Sequence, residues 1–178
     1  MGAELRPVNI GGVVVLSVFA AIWGVVGLAF AGASGVVWVL PLLISLGLFA
    51  AGRRVSRHSP AVPEAEQKRL GRLIGIWSGV EGIAMFLANS VLIAFHRPDL
   101  IAAMVCTIVG LHFFPLARGI PLPVYNLTGL AMTLLGVGGL IVSGMVAPAV
   151  VGFGAALIMW TTLVSILWPA RAALRAAA

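Results

Sequence analysis

Glu81 stands in a run, residues 73–95, in which every other side chain is uncharged. A carboxylate near the middle of a bilayer costs about 2.5–3.5 kcal/mol on insertion scales, so it needs a partner or a task. His112 lies in the next apolar run, six residues before Arg118. The two runs are consecutive and joined by the short polar turn 96–99, so they are expected to pack side by side. At a rise of about 1.5 Å per residue, Glu81 sits about 13 Å and His112 about 9 Å from the same membrane face. The groups are therefore placed to meet, or to share a water. A carboxyl and an imidazole can both be tuned to exchange a proton near neutral pH. The plainer reading is a neutral acid bonded to a backbone carbonyl or to Asn126, with His112 a satisfied structural donor.

Other polar residues extend the pattern. Ser78, Glu81, Met85 and Asn89 fall at i, i+3, i+7 and i+11, the spacing of one helical face. Tyr125 and Asn126 open a later apolar run on the cytoplasmic side, with Thr128 close by. Together they are candidates to line a cavity open to the cytoplasm. The competing account is hydrogen bonding between helices, worth about 0.6 kcal/mol per bond in a measured bundle. It suits Asn89, Thr107 and Thr133 better than Glu81.

The elements that must position these residues follow from composition. The chain is 61% hydrophobic and 9% charged, with a mean hydropathy of +1.14. Soluble domains carry about 25% charged residues, so lipid rather than water must surround most of this chain. Spans are expected near residues 10–31, 36–51, 73–95, 100–116, 125–145 and 149–168. The first is too long for a signal-peptide core of about 7–15 residues and reads as a retained span. The segments are apolar on every face and about twice the length of a barrel strand, so helices are expected throughout. The whole chain reads as one all-α integral membrane domain of six helices, arranged as three hairpins. Residues 31–35 and 143–148 read as tight turns, and 53–72 as the one sizeable polar loop.

Charge sets the orientation. Arg6, Arg53, Arg54, Arg57, Lys68, Arg69, Arg72, Arg118, Arg171 and Arg175 fall on one side, and only Arg97 on the other. Ten against one is a strong positive-inside bias, and it places both termini in the cytoplasm. Abundant Ala, Gly, Val and Arg with Lys68 as the sole lysine point to a GC-rich bacterium, hence to a bacterial inner membrane. The net charge of +6 is spread over short gaps and not over a nucleic-acid-binding face.

Smaller features concern packing. Gly71, Gly75 and Gly79 are four residues apart, a flat groove for another helix in this chain or in another subunit. Gly129 and Thr133 offer the same on span five. Pro41 and Pro115 can each kink a helix. Trp38 and Trp168 read as interface anchors. Trp23, Trp77 and Trp160 read as packing. Arg53, Arg54 and Arg57 sit where anionic lipid head groups would be attracted, though setting topology explains them equally well. The stretch 22–29 echoes 76–84 with one residue inserted, which aligns Val26 with Glu81, although chance explains such an echo at least as well in spans filled with Gly, Ala, Val and Leu.

The paired-helix layout resembles small six-helix bacterial inner-membrane proteins, including the acid-resistance membrane protein family built from three hairpins. The stretches Gly110-Leu111-His112-Phe113-Phe114-Pro115-Leu116-Ala117-Arg118 and Pro123-Val124-Tyr125-Asn126-Leu127-Thr128-Gly129 resemble those of uncharacterised bacterial membrane proteins. The resemblance is one of layout and implies no activity.

Enzyme signatures are missing. There is no phosphate loop, nucleotide fingerprint, His-x-x-x-His or Gly-x-Ser-x-Gly. The single Cys106 excludes an internal disulfide, and no metal-ligand spacing or cofactor motif is present. Two functional readings stand. One is passage of a small solute or proton through a polar site centred on Glu81. The other is a non-catalytic assembly or stress-response protein in which Glu81 is a buried structural group. A lipid-modifying enzyme has less behind it, because no paired carboxylates or metal set lie at the interface. The expected partners are the bilayer, an unidentified small ligand and a second copy of the chain.

Overall fold

The computed structural model describes residues 8–120, 122–142, 144 and 147–176. Six helices make it up: α1 (Ile10–Phe30), α2 (Leu40–His58), α3 (Glu64–Ala94), α4 (Ile101–Gly119), α5 (Val124–Val142) and α6 (Ala147–Ala176). Short 3-10 turns, Gly35–Val39 and Pro98–Leu100, lead into α2 and α4. All six helices, α2 and α4 taken with these turns, are long and apolar enough to cross a membrane. No strand occurs among the described residues. Arg6, Ser143 of the second expected tight turn and Met145 at the expected end of span five lie outside them.

The polar loop expected over 53–72 is mostly helix. α2 continues to His58 and α3 begins at Glu64, leaving five residues as the connection. Arg, Lys, Glu and Gln are good helix formers, and the helices break where Pro60 and Pro63 stand. Lys68 pairs with Glu64 at 2.7 Å and Arg69 with Glu66 at 2.6 Å, one helical turn apart in each case. α3 has 31 residues. That is about 46 Å, well beyond a hydrocarbon core of about 30 Å, so its first turns project from the apolar layer.

Turn chemistry closes the other ends. Gly32 adopts φ +66° after α1, and the Ala33 amide donates back to the Leu28 carbonyl at 3.0 Å. His96 takes the same left-handed conformation after α3, with φ 54°, and the Arg97 amide donates to the Leu92 carbonyl at 2.8 Å. Both ends have the wrap-around bonding that satisfies the last carbonyls of a helix.

α1, α4, α5 and α6 form the centre of the bundle, and α2 and α3 lie outside it. α1 touches α2, α3 touches α4 and α5 touches α6, but the most extensive interfaces are those of α4 on α5 and α1 on α6. Glycine is the reason. A Cβ on Gly136 would fall 2.5 Å from the Thr107 amide nitrogen and 2.7 Å from the Ala103 carbonyl, and one on Gly129 would fall 2.9 Å from the Gly110 carbonyl. On the other interface, a Cβ on Gly152 would fall 2.6 Å from the Cα of Gly27. Backbones approach this closely only where no side chain intervenes. The role expected of Gly129 and Thr133 is realised here, with Gly110 and Gly136 completing it.

The glycines of α3 behave differently. Gly71, Gly75 and Gly79 are exposed, and a Cβ on any of them would meet nothing within 4 Å. They pack no helix of this chain. The spacing is right for a groove, but the stripe points away from α4, against which almost all of α3's packing is made.

These contrasts give a direct expectation. Gly136→Ala lowers stability by about 1–3 kcal/mol through overpacking. Gly75→Ala leaves it unchanged or raises it by up to about 1 kcal/mol, because alanine favours helix and nothing stands in its way. Unfolding of the purified protein in mixed micelles measures both. A loss at Gly75 would mean that a second subunit covers the stripe.

Candidate functional site

The inner face of α3 is a single stripe. Leu70 is buried, and from two turns further on Trp77, Glu81, Met85 and Asn89 are half-buried, four residues apart. Helical spacing forces this, since residues four apart stack on one side. The remaining surface of α3 is exposed and apolar, with Ile76, Ile83 and Phe86 among its side chains. In lipid that is an ordinary outer face.

Glu81 and His112 meet across the α3–α4 interface. The Glu81 Oε2 lies 3.6 Å from His112 Nδ1, and the two side chains are 13% and 10% exposed. At 3.6 Å the contact is an ion pair if the ring is protonated, and it is too long for a direct hydrogen bond. His112 Nδ1 has no hydrogen-bond partner. The Trp77 carbonyl, one turn before Glu81, borders the imidazole. Pro115 lies inside α4 three residues beyond His112 and has no N–H to offer the Leu111 carbonyl. The site therefore combines a carboxylate, an imidazole and under-used acceptors in a space from which most solvent is excluded.

The other residues expected at this site lie elsewhere. Ser78 is exposed, on the flank of the stripe and not on it. Asn126 is also exposed. Tyr125 is buried, but it packs edge-on against Phe113 with ring centroids 5.6 Å apart, and its hydroxyl lies near Gly12 of α1. Phe113 follows His112 directly, so the two side chains leave α4 in different directions, His112 to α3 and Phe113 to the bundle centre. Asn89 shares the Glu81 face, two turns further on, and its Oδ1 is buried without a partner. The structure thus brings Glu81 to His112 and keeps Asn89 on their interface. It does not bring Tyr125, Asn126 or Ser78 to them.

Two neighbours were not singled out as part of the site. One is Trp77, through its carbonyl. The other is Arg69, whose Nη2 donates to the Gly119 carbonyl at the end of α4 at 2.7 Å. A cation at a helix C-terminus is favourable, and this bond fastens α3 to α4 near one membrane face. Sequence offers a faint signal for it, a glycine closing one helix and an arginine opening the adjacent one.

Three polar side-chain contacts join other helices. Thr128 and Thr162 share a 2.7 Å hydrogen bond between α5 and α6. Trp160 Nε1 donates to Ser45 Oγ at 2.9 Å, linking α6 to α2. Cys106 donates to the Met132 carbonyl at 3.3 Å. Thr107 and Thr133 bond to carbonyls of their own helices, Ala103 and Gly129, and not across an interface. No group of three or more His, Cys, Asp or Glu able to hold a metal occurs among the described residues.

Comparison with protein-family models, curated proteins and solved structures finds no match to this chain.

The long Glu81–His112 separation sets an expected energy. A double-mutant cycle with Glu81→Leu and His112→Leu, read by unfolding in mixed micelles, gives a coupling of about 0.6 kcal/mol or less, the scale of an average polar contact in a membrane bundle. A coupling above about 2 kcal/mol would instead mark a tight structural bond.

Proposed function

We propose that this multi-pass membrane protein passes a proton or a small solute along the α3–α4 interface, with Glu81 as the central group and His112 as its proton-exchange partner. The observation that carries the reading is the unpartnered Nδ1 of His112 facing the Glu81 carboxylate at 3.6 Å. Buried polar groups in folded proteins are nearly always satisfied, and the exceptions call for an explanation. A pair that only fastened two helices would gain most by closing to hydrogen-bond distance. A pair that must pick up and release a proton keeps free bonding capacity instead.

The charge distribution supports a bacterial inner-membrane location with both termini cytoplasmic. Arg97, the one cation assigned to the outer side, pairs with Asp99 at 2.9 Å. On this orientation Glu81 and His112 lie nearer the cytoplasmic face.

A second reading has its own support. α3 packs almost entirely on α4 and the turn before it, so a polar contact there helps to keep the helix attached. In that case Glu81 is a buried structural group of a non-catalytic assembly or stress-response protein.

Reconstitution decides between the two. Purified protein in liposomes with an internal pH dye is expected to dissipate an imposed proton gradient. Glu81→Gln is expected to reduce the rate to that of empty liposomes while leaving the melting profile unchanged. A proton flux that survives the substitution, or a wild-type protein with no flux of protons or of small solutes, leaves the structural reading standing.

A further inference from the structure

The outer face of α2 carries a second polar feature, and it is independent of Glu81. A cleft of about 550 Å³ opens there. Its apolar part is lined by Leu46, Phe49 and Ala50, and its polar part by Arg53, Arg54 and Arg57. Leu46, Ala50, Arg53 and Arg57 are spaced i, i+4, i+7 and i+11, so the apolar and basic halves form one continuous strip along the helix. The strip is about 16 Å long from Leu46 to Arg57, of which the apolar part, Leu46 to Ala50, takes up about 6 Å.

The basic half has no counter-charge from the described residues. Glu64 pairs with Lys68, Glu66 with Arg69, Asp99 with Arg97, and Glu81 faces His112. Arg53, Arg54 and Arg57 take part in none of these pairs and are exposed. His58 closes the cleft, its Nδ1 held 2.8 Å from the Arg54 carbonyl. A ring donating through Nδ1 fixes its orientation at the end of α2.

We infer that this cleft binds an anionic phospholipid, with the headgroup phosphate held by Arg53 and Arg57 and an acyl chain lying along Phe49, Ala50 and Leu46. Arginine suits a phosphate better than lysine does, because its planar fork offers two parallel donors. The apolar half distinguishes a lipid from a free anion, since a soluble phosphate has nothing to place on Leu46. General topology signalling explains basic residues near a membrane, but not an apolar groove that runs directly into them along one helix face.

The test uses the full-length protein in nanodiscs, read by native mass spectrometry for retained lipid. Discs containing phosphatidylglycerol and phosphatidylcholine in equal amounts are expected to yield protein with phosphatidylglycerol bound. Arg53→Gln/Arg57→Gln is expected to weaken that retention about 30-fold, at about fivefold for each arginine near the surface. Arg72→Gln/Arg118→Gln removes the same net charge from exposed sites outside the cleft and is expected to leave retention unchanged. Millimolar inorganic phosphate is expected not to displace the lipid. Equal losses in the two double variants would reduce the effect to a diffuse basic surface and overturn the assignment. So would equal retention of phosphatidylcholine, or displacement by inorganic phosphate. Because Arg53 and Arg57 are exposed, circular dichroism of both variants is expected to match the wild type, and a difference in retention reports on the cleft and not on folding.

Discussion

Lipid offers one helix no hydrophobic reason to prefer another helix over an acyl chain, so this bundle depends on how closely backbones can approach. The chain solves this at two places. Gly110, Gly129 and Gly136 let α4 and α5 come together, and Gly27 and Gly152 do the same for α1 and α6. Dispersion contacts are individually small and grow with proximity, so the glycine interfaces gain many at once. Met132, Met159 and Leu163, all fully buried, fill the space between these two close pairs. α2 and α3 lack comparably extensive interfaces and sit at the margin.

Polar links complement this arrangement. α5 is joined to α6 by Thr128 and Thr162, α6 to α2 by Trp160 and Ser45, and α4 to α5 by Cys106 and the Met132 carbonyl. Each has hydrogen-bonding geometry, and each side chain involved is neutral. The α3–α4 interface is different in kind. One of its polar contacts, Arg69 to Gly119, is short and lies near a membrane face. The other, Glu81 to His112, is long, ionisable and deep. The helix carrying the most costly residue in the chain is thus also one of the least embedded.

Composition alone was enough to read six apolar helices, and the short 96–99 turn made α3 and α4 neighbours on which Glu81 and His112 could meet, without deciding whether they do. Helix ends were harder to read. Apolar length marks where the hydrocarbon layer stops, but Arg53, Arg54, Lys68 and Arg69 continue as helix beyond it, because the helix ends where Pro60 and Pro63 stand and not where polarity begins. The glycine stripes were harder still. Gly71, Gly75 and Gly79 have a cleaner spacing than Gly110, Gly129 and Gly136, yet only the second set is covered. Spacing shows that a flat face exists, and tertiary placement alone decides what lies on it. Ser78 illustrates the same limit at finer scale. It is three residues from Glu81, but the stripe facing α4 is centred on Trp77, Glu81 and Met85, and Ser78 falls just outside it. Tyr125 and Asn126 are adjacent in sequence to a helix start, where a shift of one position turns a side chain from core to exterior.

The alignment of the stretch 22–29 with 76–84 gains a physical meaning from these positions. Val26, the counterpart of Glu81, packs partly buried against the core on α1, a central helix. A carboxylate there would meet apolar neighbours and have no imidazole beside it. α3 tolerates Glu81 because it sits at the edge, where its one close neighbour, α4, presents His112. The same peripheral position keeps α3 clear of the glycine-packed centre. On the proposed reading this is what a proton-exchanging pair requires, since its separation must shorten to pass a proton and lengthen to release one.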